Sequence, residues 1–416
     1  MRTDKATTAV VSPPHTARVR THGATAVIVA ALVLAALNLR PAITSLGAVL
    51  EEVRGDLGMS GTVAGLLTSV PVLCFAVFGV AAPRLARRFG AAAVICVGMA
   101  VIAVGLGLRP FAGGTALFLA ASAVALAGIA VTNVLMPVIV KRYFPDRVGA
   151  MTGLYSMALT LGAGLGSAIT VPLADAAGGS WRFGLGAWAV VAAVAVVPWL
   201  VMLVRDRSGA AAAPPQVTAT GARITRSRTA WALAIFFGLQ AISAYVAMGW
   251  LPQIFRDAGV PAGTAGMLSA VTMSMGVPLS FVLPALAGRM RHQGSLAVAL
   301  GAFGVAGYAG LWLAPAAAPW VWAVLLGVAN STFPLVLTLI GMRSRTPSGV
   351  VRLSAFAQCT GYLITVPGPI LVGALYQSSG GWGLPIGLMT ALLVPQTVAG
   401  VVAGRNRFVE DELRPG

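Results

Sequence analysis

The regular return of apolar windows about twenty residues long constrains this chain more than any other feature, because each can cross the hydrocarbon core of a bilayer as a helix. Twelve windows fit: 24–50, 61–82, 91–109, 115–140, 149–174 and 183–204, then 230–254, 263–287, 295–314, 318–342, 353–377 and 383–404. A polar linker at 205–229 separates the two sets of six, and tails at 1–23 and 405–416 flank them. Lipid offers the backbone no hydrogen-bond partners, so such spans are helical. Charged residues make up only 9% of the chain, against about 25% in a soluble domain, which excludes a water-soluble fold.

The formal net charge of +17 invites comparison with nucleic-acid binders, but those present a contiguous basic face, and here the basic residues form short clusters between apolar runs. Their placement follows topology. All Lys and Arg except Arg40, Arg54, Arg109, Arg182 and Arg256 fall in the tails, the linker or alternate loops, which puts both termini and the linker on the cytoplasmic side of a cell membrane. The first apolar run is too long for a signal peptide and is expected to be retained. Cys74, Cys96 and Cys359 fall in spans and form no disulfide framework. His15, His22 and His292 lie in a tail or loop, so no metal site is expected, and no catalytic pair or cofactor motif is visible. A membrane enzyme or a sensor is disfavoured on these grounds and because no sizeable soluble domain is present. The expected partners are a small solute and the bilayer, without nucleic acid, and the chain is expected to be a monomer.

The two sets of six repeat each other. Aligning Leu50 with Leu251 also superposes Asp56, Gly58, Gly65 and Leu67 on Asp257, Gly259, Gly266 and Leu268, and Pro83, Leu85, Ala86 and Arg88 on Pro284, Leu286, Ala287 and Arg289. Asn133 and Pro137 resemble Asn330 and Pro334 at a spacing of 197 residues. The expected fold is therefore an all-α membrane protein of twelve helices in two pseudo-symmetric six-helix bundles, in which a site lies between the repeats near the midplane. This organisation resembles the major facilitator superfamily. Within it, the run from Leu37 through Asn38, Leu39, Arg40, Pro41, Ala42, Ile43 and Thr44 to Ser45 is similar to the first-helix signature of the cyanate permease and 2-nitroimidazole transporter family. Gly79, Arg84, Arg87 and Arg88 match the superfamily's second-loop motif and are implied to gate the conformational change. Pro83 and Ala86 replace its acidic residue and second glycine, so a carboxylate-centred latch is not expected there.

Arg40 is the one charge inside a span. A central arginine costs roughly 2.5–3.5 kcal/mol on insertion scales and marks a functional site by default. It lies about 24 Å along the first helix and about 15 Å short of Leu50, too far to snorkel unless the helix ends near Ser45. Pro41 removes the N–H that would bond the Leu37 carbonyl. None of the eleven Asp and Glu falls in the interior of a span, so the partner expected for Arg40 is the solute itself, an anion or a solute with strong acceptors, held by the planar guanidinium. Asn38 faces roughly the opposite way on a regular helix. Gln240, Gln358, Tyr362, Asn133, Asn330 and Tyr245 are candidate companions, with Gln358 and Tyr362 on a polar stripe that runs from Ser354 to Thr365. Hydrogen bonds between helices explain such residues equally well. The expected function is secondary transport of a small anionic or weakly acidic solute, cyanate-like, by alternating access. The alternative is export of neutral or lipophilic compounds such as 2-nitroimidazoles.

Overall fold

The computed structural model describes residues 22–144, 147–206 and 224–413. Most of the expected N-terminal tail and linker, and the surroundings of Gly79, lie outside the described residues.

The first span is not one helix. It comprises α1 (His22–Asn38) and α2 (Pro41–Ala48), with a turn at Leu39 and Arg40, and α3 (Leu50–Leu57) leads out of it. The next five spans are α4 (Gly61–Phe89), α5 (Ala91–Leu108), α6 (Thr115–Tyr143), α7 (Val148–Ala176) and α8 (Trp181–Asp206). The second set begins with α9 (Arg228–Asp257) and continues through α10 (Ala262–Ser274) and α11 (Gly276–Arg289), α12 (Gly294–Leu313), α13 (Pro319–Asn330) and α14 (Thr332–Met342). It ends with α15 (Pro347–Thr365) and α16 (Pro367–Ser379), α17 (Gly383–Ala403) and a short terminal helix, α18 (Val409–Glu412). Among the described residues eleven spans are long and apolar enough to cross a membrane, and α4, apolar over Gly61–Phe75, supplies the twelfth.

Four windows expected as single helices are thus interrupted: the first, eighth, tenth and eleventh. Each break lies just before a proline, namely Pro41, Pro278, Pro334 or Pro367. Proline donates no hydrogen bond and crowds the preceding turn, which accounts for the break.

Within the first set, α5 packs on α6 and α8, and α1 packs on α7 and α8; within the second, α9 packs on α15 and α17, and α12 on α13 and α17. The halves meet through α4 on α16, α7 on α10 and α2 on α9. The contacts of α4 and α10 exchange under the internal repeat, and so do those of α16 and α7. At both, glycine brings backbones together. A methyl group on Gly65 would strike Pro369 and Ile370, and one on the repeat-related Gly266 would strike Ser167, in each case on the backbone.

Candidate functional site

The break in the first span sets the geometry of the site. Without an N–H at Pro41, the Leu37 carbonyl has lost its helical donor, and Gly162 of α7 lies against that carbonyl so closely that a methyl there would overlap it. One turn on, Gly166 lies against Pro41 and Thr44. Asn38 turns back to its own helix, donating from Nδ2 to the Leu34 carbonyl at 2.8 Å, so it serves the other face as expected. Arg40 is left half-buried between the halves and reaches across to α9, where Nη1 meets the Met248 sulfur at 3.9 Å. The helix continues beyond it to Ala48, three residues past Ser45, and the side chain turns toward α9.

Two tyrosines share this place. Tyr245 is buried and Tyr362 half-buried, and both lie close enough to feel the Arg40 charge. Tyr362 stacks on Phe75 of α4 with ring centroids 5.2 Å apart and 12° between planes, and meets Phe237 edge-on at 5.1 Å. A planar cation beside stacked rings, drawn from both halves, can hold a small anion or a flat polar ring. Ion pairs among the described residues do not involve Arg40.

The other candidates spread out. Gln358 is half-buried and donates to Ser354 Oγ at 2.7 Å. Thr365, at the end of the same stripe, is buried and donates to Gly238 and Gly361 carbonyls, so it ties α15 to α9. Asn133 is half-buried on α6, and Asn330 is half-buried as the last residue of α13. Gln240 is only 1% exposed. Its Nε2 donates to the Asn330 carbonyl at 2.6 Å, and it lines a small cavity inside the second bundle. Trp250 is buried in a ring cluster with Tyr376 and Trp382. Arg84, Arg87 and Arg88 are exposed at the end of α4.

Sequence reasoning missed what closes the opposite, arginine-poor end. Arg256 of α9 pairs with Glu51 at 3.0 Å and Glu52 at 2.9 Å, on α3 of the other half. Arg54 lies over the Tyr376 ring, and Thr62 donates to Gln377, both across the halves. An ion-pair latch is present, at the end away from the loop motif. Arg109 was missed as well. Placed by sequence at the end of a span, it is buried, with Nε on Ser122 Oγ at 3.0 Å and Nη1 on the Ala42 carbonyl at 2.7 Å. Arg182 pairs with Asp56. Each of the four arginines on the disfavoured side therefore has a specific partner, and their being exceptions to the charge bias was the signal.

The Major Facilitator Superfamily pattern matches residues 25–366. The chain is 34% identical over 384 residues to the uncharacterized transporter YycB of Bacillus subtilis (strain 168), spanning 92% of this chain and 94% of that protein. It is 31% identical over 391 residues to a 2-nitroimidazole transporter of Escherichia coli (strain K12), spanning 92% and 96%. To the cyanate transport protein CynX of the same organism it is 33% identical over 358 residues, spanning 84% and 90%. The crystal structure of a bacterial homolog of the human lysosomal transporter Spinster, inward-facing and occupied, superposes with a TM-score of 0.71 at 16% identity, covering 94% of this chain and 99% of that one. Helical spans in two repeated sets and this similarity along most of its length agree: the chain belongs to the Major Facilitator Superfamily of membrane transporters.

Proposed function

We propose that this transporter moves a small anionic or weakly acidic solute, cyanate-like, by alternating access, with Arg40 as the anion clamp. The observation that carries the reading is a half-buried guanidinium between the halves that meets no carboxylate among the described residues, only Met248 and the two tyrosines. A cation so placed favours an anionic guest, and its planar donors suit a linear or carboxylate-like anion. The positive-inside rule assigns the arginine-rich face, with both termini, to the cytoplasm, so the latch at Arg256 closes the outer end. The kinship with a cyanate transport protein supports the choice of probe.

Cyanate flux into proteoliposomes tests this directly. Arg40→Ala is expected to lower flux about 30-fold or more, as when one member of a buried charge pair is lost, while the protein still folds. Flux equal to wild type would sink the clamp. A second reading, export of neutral nitro compounds, is favoured by the stacked Phe75 and Tyr362 rings beside Arg40 and by kinship with a 2-nitroimidazole transporter. Simple monoanions compete with the solute in the first reading and leave flux unchanged in the second.

A further inference from the structure

Inside the second bundle, away from the stacked rings, Gln240, Ser243, Tyr308, Asn330 and Gln396 surround a cavity of about 10 Å³. That is room for a single guest the size of a water. Gln240 and Gln396 are 1% and 5% exposed, and the Oε1 atom of each is buried with no hydrogen-bond partner among the described residues. Two orphaned amide oxygens on one cavity are expensive, since each forfeits about 1–3 kcal/mol of desolvation unless something meets it. The Gln240 amide is fixed in orientation, because its Nε2 is committed to the Asn330 carbonyl.

The surroundings state what the guest must be. Besides the two amide oxygens, the wall offers the hydroxyls of Ser243 and Tyr308, which bond to each other. The twelve-residue helix α13 ends at Asn330, and its last turn, with Leu326 and Ala329, forms one side of the cavity. The carbonyls of that turn already have donors, Asn330 from Gln240 Nε2, Ala329 from Thr332 Oγ1 and Gly327 from Ser331 Oγ, so a guest faces a ring of neutral side-chain oxygens. An anion is repelled by that arrangement. A divalent cation lacks any carboxylate to offset its charge, and a ring of only five oxygens around so small a space suits the short contacts of sodium better than the longer ones of potassium. We propose that this cavity is a sodium-binding site, with Gln240 Oε1, Gln396 Oε1, Ser243 Oγ, Tyr308 Oη and the Asn330 side chain as its oxygen ligands. The site touches α9 and α13, whose ends at Arg256 and Asn330 belong to segments that meet the other half or border a break. Sodium held there supplies a coupling ion where, among the described residues, no carboxylate lies in the interior of a span.

The test needs no solute, so it stands or falls apart from the role of Arg40. Purified full-length protein is titrated with sodium chloride against choline chloride at constant ionic strength, and thermal unfolding and ²²Na⁺ binding are measured. Sodium is expected to raise Tm saturably, by about 4 °C at a hundredfold excess over half-saturation, whereas potassium and choline do not. Gln396→Leu is expected to lose the shift and the ²²Na⁺ binding while keeping its Tm in choline, and Ser243→Ala to need about tenfold more sodium for half-saturation. A wild type with no sodium-specific shift and no saturable ²²Na⁺ binding overturns the proposal, leaving a water between the two amides. A sodium shift of equal size in both variants overturns the assignment of these ligands.

Discussion

Arg40 sits at the break in the first span and Arg109 bonds just past it, and their partners separate their roles. Arg40 reaches across the halves, whereas Arg109 reaches within one half and grips the Ala42 carbonyl, two residues past Arg40. A buried arginine bonded only to neutral groups adds little net stability, because desolvation offsets what its hydrogen bonds contribute. Arg109→Met is therefore expected to unfold within about 1 kcal/mol of wild type, yet to lower flux roughly tenfold because the break that aims Arg40 loses its brace. Arg109→Lys is expected to be the less stable of the two, since it keeps a buried charge while its single nitrogen does not span the two acceptors that the guanidinium reaches from Nε and Nη1. Equal flux in wild type and Arg109→Met would remove the bracing role. Arg40 was legible in the sequence because a charge inside an apolar window has nowhere cheap to go. Arg109 showed only as an exception to the charge bias, and what it holds stayed hidden because a backbone carbonyl partner leaves no mark on composition.

Which prolines interrupt a helix was equally hidden. Pro71, Pro137, Pro172, Pro198, Pro252 and Pro395 sit inside continuous helices, whereas Pro41, Pro278, Pro334 and Pro367 follow breaks. The broken spans include α2, α10 and α16, which touch the other half, so freed backbone groups there find protein partners that a lipid-facing helix lacks. Apolar length fixes where a span exists, but the partner of a freed carbonyl is a tertiary fact.

Among the short elements, α18 carries a function of its own. Glu412 accepts from Ser227 Oγ, Thr229 N and Thr229 Oγ1 at the start of α9, while Glu410 accepts from Ser344 and from the Arg345 N–H beyond α14. Burial alone would raise both carboxyls, but these hydrogen bonds outweigh it and hold both below the usual carboxylate range. Their contribution is present above the unfolded value, about 4.3, and fades as pH falls through the lower folded values. Glu412→Gln is expected to lower stability at neutral pH by about 1 kcal/mol, less than for a fully buried charged hydrogen bond because water reaches the carboxylate. Thermal unfolding of wild type and variant should converge as the buffer is acidified toward that range. A gap that persists unchanged in acid would show that the carboxylate charge is not what binds the tail.

At the scale of the molecule, the repeat in the sequence and the contact in the fold coincide at Gly65 and Gly266. Each lets its helix lie backbone to backbone on the opposite half, and a methyl at either has no flexible side chain to push aside. Gly65→Ala is expected to cost about 1–3 kcal/mol through overpacking, and to pry open the arginine-poor end. A reporter cysteine at Thr62, which bonds Gln377 across the halves, should then react faster with a membrane-impermeant thiol reagent. Unchanged labelling would show that this contact does not hold the end shut.

The same two contacts say where the moving parts turn. Where backbone lies on backbone, as at Gly65 and Gly266, few side chains interlock, so the two contacts can turn as bearings do, and a matched pair of bearings defines an axle. Gly266 rests on Ser167, whose neighbour Gly166 rests on Pro41, the residue after Arg40. In the proposed cycle the arginine therefore rides almost on the axle: the two mouths swing widely while the guanidinium hardly travels, and the solute changes sides without being handed from one grip to another.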